Sequence, residues 1–307
     1  MSSAIVFAYH NVGVRCLKVL MAAGVDIRLV VTHKADPNEN IWFQSVEQVC
    51  VDYDLPHLIA EDVSLPVLQE KAAACTPDFL FSFYYRNMLG ADFLAIPAKG
   101  AYNMHGSLLP AFRGRAPVNW AVLKGATETG ASLHAMEVKP DKGAVVAQVP
   151  VPILPDDTAA EVFDKVAVAA ELCLHGVLPA LLAGKAPHVE QDHTKASYYG
   201  RRTPADGAVN WSDDAQTIHN MVRALTHPYP GAFTDTVHGK LFLWRTRVLS
   251  QTMNIKPGVM QVDAMHRVVC NPGGGGTLQV LNAQLNGETL DAAALMARFQ
   301  GSLKLPL

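Results

Sequence analysis

The stretch from residue 102 to 120, YNMHGSLLPAFRGRAPVNW, contains the residue types best suited to chemistry. Asn103 and His105 lie two positions apart, so in a β-strand both side chains leave the same face. Gly106 then ends the predicted strand, and open parallel sheets bind their ligands at such strand ends. An imidazole titrates near neutral pH, and an amide N–H stabilises an oxyanion. The stretch therefore predicts proton transfer beside a developing negative charge.

Asp141 is the third candidate, because a carboxylate beside an imidazole favours its protonated form. It lies 36 positions after His105 (141 − 105), in the turn KPDKG, and spacing alone does not bring the two together. Aspartate is also a common turn residue for purely conformational reasons. This group of three requires no metal ion, so we predict acid–base chemistry without a metal.

The elements that must position these residues form an alternating pattern of short apolar runs and helical periodicity. The predicted strands are 4–8, 27–31 and 79–83, and the predicted helices are 12–23, 42–53 and 67–74. This alternation predicts an α/β fold with a Rossmann-like, mainly parallel sheet and helices on both of its faces. The first strand–helix junction carries only Gly13 and no G-x-G-x-x-G, which argues against a nicotinamide dehydrogenase.

After the central stretch, the pattern predicts strands at 131–138 and 145–153 and then a long helix to about Leu182. Asp157 or Thr158 has the chemistry of its N-cap. The following segment, 188–204, is polar and has no periodicity. We therefore predict a catalytic domain at 1–187 and a linker at 188–204.

Residues 205–307 have a different pattern, with one helix at 215–225 followed by short strands between glycines and prolines. Short strands with turn signals predict a small antiparallel, OB-like barrel domain. The four glycines at 273–276 lie between two of these strands and predict a hairpin turn, because no helix start follows them to hold a phosphate.

The overall composition excludes several classes of protein. The formal net charge of −3 supplies no field that would attract a polyanion. The five cysteines form no C-x-x-C pair, which argues against a disulfide framework or a zinc site. The N-terminus has no signal-peptide pattern, and we expect no apolar run that approaches the ~18 residues of a membrane span. We predict a cytoplasmic protein without membrane insertion.

The run NMHGSLLPAFRGRAPVNWAVLKGATETGASLH, followed by Asp141 and Gly143, closely resembles the folate-dependent formyltransferase family. The motif of that family is Asn-x-His-Gly-Ser-Leu-Leu-Pro, then Arg-Gly and a distal Asp. The resemblance implies that His105 is the general acid/base, that Asn103 stabilises the tetrahedral oxyanion and that Asp141 supports the charge of His105. It implies 10-formyltetrahydrofolate as the formyl donor and cosubstrate. The implied folate contacts are Asn87, Met88, Leu89, Arg115 and the turn Glu137, Val138, Lys139, Pro140 and Asp141.

Four segments outside this run narrow the identity of the acceptor substrate. They are VFAYHNVG, FSFYYRNML, GRRTPADG and HNMVRALTHPYPGAF. Over residues 1 to about 250, the chain is similar to the branch of the family that formylates UDP-4-amino-4-deoxy-L-arabinose for lipid A modification. The resemblance implies a UDP-linked amino sugar as the acceptor. Arg201 and Arg202 have the chemistry of diphosphate ligands or of a solvated charge pair, and further acceptor candidates are Tyr9, His10, Asn11 and Arg113.

Three alternatives to a sugar formyltransferase remain open. A methionyl-tRNA formyltransferase would use the same triad, but the loop at 33–42 has one lysine against one aspartate and one glutamate, which suits tRNA poorly. A formyltetrahydrofolate hydrolase would use water in place of the amine, and the triad does not exclude it. A module that binds without catalysis is disfavoured because all three reactive residues are present. Neither the exact sugar nor the oligomeric state follows from the sequence.

Overall fold

The computed structural model describes residues 1–34, 40–60 and 66–307, and the side chain of residue 296 is left aside. By backbone contacts the chain divides into two compact units. The first comprises Met1–Pro117, Glu128–Pro152 and Phe163–Gly200, and the second comprises Val118–Thr127, Ile153–Val162 and Arg201–Leu307. The loop at 33–42, used above to weigh tRNA, falls partly outside the described residues.

The chain up to residue 200 alternates strands and helices as the apolar periodicity predicts. In order, its elements are β1 (Ser3–Ala8), α1 (His10–Ala22), β2 (Asp26–Thr32), α2 (Val46–Asp52), β3 (His57–Ile59), α3 (Pro66–Ala74), β4 (Phe79–Phe83), α4 (Ala91–Leu94), β5 (Gly100–His105), β6 (Arg113–Gly114), α5 (Pro117–Leu123), β7 (Glu128–Ala135), β8 (Val145–Pro152), α6 (Ala159–Leu182) and β9 (Tyr198–Tyr199). Residues His193–Lys195 form a single 3₁₀ turn.

The sheet of the first unit has the order β3-β2-β1-β4-β5-β7-β8. The pairs from β3 to β5 are parallel, and β5–β7 and β7–β8 are antiparallel. β1 and β4 are buried along their whole length, which explains why both are continuous apolar runs. The chain winds outward in opposite directions from these two strands, so a crevice opens at their carboxyl ends. The predicted Rossmann-like, mainly parallel sheet is confirmed.

The second unit contains the helix and short strands expected after residue 204. Its elements are α7 (Ala215–Leu225), β10 (Ala232–Thr236), β11 (Gly239–Leu249), β12 (Val259–Val262), β13 (Val268–Asn271), β14 (Thr277–Leu285), β15 (Glu288–Leu290), α8 (Ala292–Phe299) and β16 (Ser302–Lys304). The strands form a curled antiparallel half-barrel in the order β10-β11-β14-β13-β12-β16, with β15 beside β14. Trp211 is fully buried in its core. The glycines at 273–276 connect β13 and β14, which pair antiparallel, so the predicted hairpin is confirmed.

Several predicted boundaries were wrong for local reasons. The strand predicted at 131–138 ends at Ala135, because the chain turns away into an exposed segment at 137–140 before Asp141 takes a left-handed φ of 58°. The helix predicted at 42–53 begins only at Val46, where the Ser45 side chain accepts a hydrogen bond from Gln48 N. The long helix begins with a capping box in which Thr158 and Glu161 bond reciprocally.

One helix bears on the expectation that no apolar segment approaches a membrane span. Within the described residues, α6 is long and apolar enough to cross a bilayer by length and composition, with a mean hydropathy of 1.6 over its best 18-residue window. Of that window, 44% is buried inside the protein. Long core helices pass the same test, so one such helix is weak evidence for a membrane.

Candidate active site

The first unit contains a cavity of about 540 Å³ that opens at the carboxyl ends of β1, β4 and β5. Tyr9 and His10 follow β1, Tyr84 to Leu89 follow β4, and His105 ends β5. All of these residues line the cavity. The volume lies within the range of about 300 to 1,000 Å³ that small-molecule sites occupy. Asn103, His105 and Asp141 also line it, so the three residues predicted to react share one cavity.

His105 is only 6% exposed at the end of β5. Its Nε2 lies 2.9 Å from the carbonyl oxygen of Phe112. A carbonyl only accepts, so Nε2 carries the proton and donates it in this bond. Nδ1 therefore presents the other edge of the ring, 3.5 Å from Oδ1 of Asp141. A proton placed on Nδ1 creates an imidazolium beside a carboxylate, which is the arrangement of a general base and its stabilising partner.

The second carboxylate oxygen of Asp141, the one that does not face His105, is held by a backbone N–H. Its Oδ2 accepts a hydrogen bond from the backbone N–H of Gly114 at 2.8 Å, and its side chain is 11% exposed. Its φ of 58° lies in the left-handed region, where a non-glycine residue is strained. The turn thus aims the carboxylate back toward β5, although 36 residues separate Asp141 from His105 in sequence.

His134, which sequence reasoning did not select, forms a pair with Asn103. The two residues lie directly opposite each other in the β5–β7 ladder, and Asn103 Nδ2 is 3.1 Å from His134 Nε2. His134 Nδ1 donates to the Ala135 carbonyl oxygen at 2.8 Å, so Nε2 accepts the amide N–H. Burial, and next the neighbouring His105, lower the pKa of His134 to about 4. The neutral ring forms no ion pair with Asp141, despite a distance of 3.7 Å.

The neutral His134 ring fixes the orientation of the Asn103 amide. Because an imidazole nitrogen without a proton only accepts, the NH₂ end of the amide faces His134. One N–H is used in that bond, and the second is available on a residue that lines the cavity. An N–H so oriented is a suitable donor to an oxyanion. The one sequence signal for His134 was its position at the end of the motif run, in GASLH.

Aromatic rings form the wall of the cavity after β1. The His10 ring stacks on Phe43 with a centroid distance of 3.8 Å, and its Nδ1 accepts the N–H of Asn11. Burial, and next the charge of Arg86, lower the pKa of His10 to about 3, so the ring is neutral. The Arg86 guanidinium lies 4.5 Å from the centroid of Tyr9. Tyr9 and His10 therefore present neutral rings to the cavity, with a cation beside them.

The predicted folate contacts divide into two groups. Residues 87–89, Arg115, Glu137, Pro140 and Asp141 line the cavity. Val138 and Lys139 are exposed in the same turn and do not line it. Leu89 is 2% exposed, whereas Met88 is 52% exposed.

The predicted acceptor contacts are more scattered. Asn11 does not line the cavity, and its Oδ1 accepts the N–H of Gln44. Arg113 is 1% exposed, and its guanidinium bonds to side chains of the same unit. Arg201 and Arg202 belong to the second unit, where Arg202 donates to Asn119 Oδ1 and to the carbonyl oxygen of Asp206.

Metal-ligating side chains do not cluster in the part of the chain that the structure describes. No group of three or more His, Cys, Asp or Glu residues there has a geometry that could hold a metal ion.

A doubly wound sheet that gathers an imidazole, an amide and a carboxylate at its crevice defines a class of enzymes that transfer a group with acid–base assistance. Residues 11–178 match the family described as "Formyl transferase", and residues 201–300 match "Formyl transferase, C-terminal domain". The first match alone spans more than half of the chain. The protein therefore belongs to the formyl transferase family.

Solved structures of several enzymes share the fold. An N-formyltransferase from Helicobacter canadensis, in complex with folinic acid and dTDP-3-aminofucose, has a TM-score of 0.74 at 17% identity, over 91% of this chain and 99% of that one. WlaRD, a sugar 3N-formyl transferase solved in the presence of dTDP and 5-N-formyl-THF, has a TM-score of 0.73 at 16% identity, over 94% and 99%. The methionyl-tRNA formyltransferase from Clostridium thermocellum has a TM-score of 0.56 at 14% identity, over 82% and 95%. At these identities the likeness establishes the fold.

Proposed function

We propose that the protein transfers a formyl group from 10-formyltetrahydrofolate to the amine of a nucleotide-linked amino sugar. The observation that carries the proposal is the convergence of Asn103, His105 and Asp141 on one cavity in a chain of the formyl transferase family. An enzyme that moves a formyl group needs a base for the amine proton and a donor for the oxyanion. These three side chains have those properties.

In the proposed reaction, the sugar amine attacks the formyl carbon, and the carbonyl oxygen takes up the negative charge. The free N–H of Asn103 donates to that oxygen, a contribution of order 10²–10³ in rate for a well-placed donor. His105 takes the amine proton at Nδ1 and returns a proton to the folate nitrogen as the bond from that nitrogen to the formyl carbon breaks. Asp141, whose Oδ1 lies 3.5 Å from Nδ1, stabilises the imidazolium between these two steps.

The folate is proposed to bind along residues 87–89, Arg115 and the turn that ends at Asp141. The fit rests on the cavity, which combines apolar surface such as Leu89 with the cation of Arg115. A folate has a flat aromatic head, which fits the apolar surface, and an anionic glutamate tail, which fits the cation. The proposed contacts from residues 87–89 are mainly from the main chain, so they do not depend on the side chains of Asn87 and Met88.

For the acceptor, we propose UDP-4-amino-4-deoxy-L-arabinose. This is the substrate expected from the resemblance to the formyltransferase domain of the bifunctional polymyxin-resistance protein. Two solved relatives support an amino sugar on a nucleotide carrier, because one is in complex with dTDP-3-aminofucose and the other, a sugar 3N-formyl transferase, was solved in the presence of dTDP. Roles in lipid A modification and antibiotic resistance, a cytoplasmic location and phosphate contacts from Arg201 and Arg202 are parts of the same proposal.

The experiment is an acceptor panel with 10-formyltetrahydrofolate as donor. The purified protein is incubated with UDP-4-amino-4-deoxy-L-arabinose, dTDP-3-aminofucose, charged initiator tRNA or no acceptor, and formylated product is measured by mass spectrometry. We expect formylation of the UDP sugar to be fastest. Formylation of the dTDP sugar alone would show that the nucleotide carrier is dTDP and not UDP. Formylation of tRNA alone would refute the proposal. If formate is released without an acceptor as fast as with the UDP sugar present, the protein is instead a hydrolase.

A further inference from the structure

The segment Gln191–Tyr199, called the strap below, runs beside the loop that follows the catalytic histidine. Its end pairs in parallel with β6 through β9. The N–H of Arg113 donates to the Ser197 carbonyl oxygen, and the N–H of Arg115 donates to the Tyr199 carbonyl oxygen, both at 2.9 Å. The N–H of Phe112 donates to Ser197 Oγ at 2.9 Å. The strap thereby fixes the Phe112 peptide, whose carbonyl oxygen accepts the Nε2 proton of His105.

Arg113 ties the other end of the strap to the same loop. Its Nε and Nη2 donate to Gln191 Oε1 at 3.2 and 2.5 Å. The remaining bonds go from Nη1 to the Tyr198 hydroxyl and from Nη2 to His193 Nδ1. Across the described ranges, no carboxylate lies within ion-pair distance of this buried guanidinium. Neutral acceptors of the strap therefore solvate its charge, so Arg113 and the strap depend on each other.

Gln191 links this cluster to the turn that carries the catalytic carboxylate. Its Oε1 accepts from Arg113, which forces its NH₂ to the opposite side. That NH₂ donates to the carbonyl oxygen of Asp141 at 2.9 Å and to that of Gly143 at 2.7 Å. Gln191 is 8% exposed, so these bonds are largely shielded from water. A single amide thus joins the loop after His105 to the turn at Asp141.

We propose that Gln191 is a positioning residue for catalysis that acts through Asp141. The inference rests on the proposed function, in which Asp141 stabilises the protonated His105. Asp141 is held from two sides, with its side chain on the Gly114 N–H and its carbonyl oxygen on Gln191. Because its φ of 58° is a strained conformation for a non-glycine residue, the turn relaxes when one of the two bonds is lost. A relaxed turn moves the carboxylate away from Nδ1 of His105.

Gln191→Glu keeps one set of the Gln191 hydrogen bonds, to Arg113, and removes the other, to the carbonyl oxygens of Asp141 and Gly143. A glutamate keeps an oxygen for the Arg113 guanidinium, so the buried cation remains solvated. Its second oxygen cannot donate and faces the two carbonyl oxygens of Asp141 and Gly143, so the turn is released. We expect kcat to fall by about 10- to 100-fold with less than a threefold change in the KM of the amine acceptor, because a misplaced catalytic group slows chemistry more than acceptor binding.

Glu190→Gln is the matched control, since it changes an exposed neighbour by the reverse substitution and is expected to leave kcat and KM unchanged. Gln191→Leu removes the hydrogen bonds on both sides of Gln191. Its melting temperature measures how far the stability of the fold depends on them. An unchanged kcat in a folded Gln191→Glu protein would overturn the inference.

Hydrogen exchange of the 139–143 turn provides a readout that needs no substrate. We expect exchange there to be about tenfold faster in Gln191→Glu than in the wild type or Glu190→Gln, because the turn opens locally. Equal exchange in all three proteins would overturn the inference. Failure of the wild type with every amine acceptor refutes the proposed function instead, and the exchange comparison still decides whether Gln191 holds the turn.

Discussion

The charge of Asp141 is the residue-scale feature on which the proposed chemistry depends most directly. In Asp141→Asn, a side-chain oxygen remains to accept the Gly114 N–H, so the turn is expected to keep its shape. The negative charge 3.5 Å from His105 Nδ1 is lost, so the imidazolium is no longer stabilised. We expect kcat to fall by about 10² or more, within the range of positioned acid–base groups. Asp164→Asn, on the exposed face of α6, is the control. Turnover within threefold of wild type would remove Asp141 from the mechanism.

The neutral state of His134 predicts a specific loss of stability in acid. Burial holds its pKa near 4 in the folded protein, whereas an unfolded histidine titrates near ~6.5. Between these values only the unfolded chain binds the proton, so stability is complete above pH ~6.5 and falls as the pH drops toward 4. The expected slope from this residue is at most about 1.4 kcal/mol per pH unit.

His134→Gln tests this linkage, because glutamine still accepts a hydrogen bond from Asn103 but does not titrate. Urea unfolding at pH 7 and at pH 5 should show a smaller difference in unfolding free energy for His134→Gln than for the wild type. His175→Gln, at an exposed position of α6, should keep the wild-type difference. If all three proteins lose the same stability between the two pH values, His134 does not titrate as proposed.

At the scale of elements, the pairing of β6 with β9 requires a glycine. Gly114 has a φ of 98°, and a Cβ at that position would collide with the Tyr199 carbonyl oxygen. Gly114→Ala is therefore expected to separate the two strands, to move the N–H that holds Asp141 and to lower the unfolding free energy by about 2 to 4 kcal/mol. Gly200→Ala, one residue beyond β9, adds a Cβ that meets nothing within 4 Å and should change stability by less than about 0.5 kcal/mol. Thermal or urea unfolding and kcat measure both effects, and equal stability of the two variants would contradict the argument.

The same elements explain how far the sequence alone could predict the site. Asn103 and His105 were found because the two-residue repeat of a strand is local. Asp141 was placed beside them only through the family resemblance, since its position depends on the return of the chain through β7. His134 and Gln191 were missed because their partners are set by strand register and by a segment predicted as a linker. The strands and helices with strong periodicity, such as β4 and α7, were predicted with their observed ends.

Elements whose sequence signals are weak were not predicted. Strand β3 has only three residues and is stabilised by parallel pairing with β2. Strand β16 also has only three residues and is stabilised by antiparallel pairing with β12. Helix α8 was not predicted either, although its sequence, AAALMARF, favours a helix and Asp291 caps it. The strap has no periodicity because its residues are ordered by contacts to Arg113 and to the 112–115 backbone. Tertiary contacts rather than local propensity determine β3, β16 and the strap.

At the scale of the whole molecule, the charge balance argues against tRNA as the acceptor. The chain carries 25 basic and 28 acidic residues, for a formal net charge of −3. Phosphate contacts by lysine and arginine supply most nucleic-acid affinity, and they make that affinity fall steeply with salt. We therefore expect no saturable binding of initiator tRNA at about 200 mM salt.

Fluorescence anisotropy with labelled initiator tRNA measures this directly at about 50 and 200 mM salt. Non-specific attraction through a few exposed lysines gives weak binding at low salt that other tRNAs compete away equally. A true tRNA enzyme, for which the Clostridium thermocellum methionyl-tRNA formyltransferase is a positive control, prefers initiator tRNA. If this protein binds initiator tRNA selectively and loses affinity by about 10³ or more between the two salt concentrations, it makes six or more phosphate contacts. Such a result requires a local basic surface that outweighs the net charge, and it would reverse the choice between sugar and tRNA.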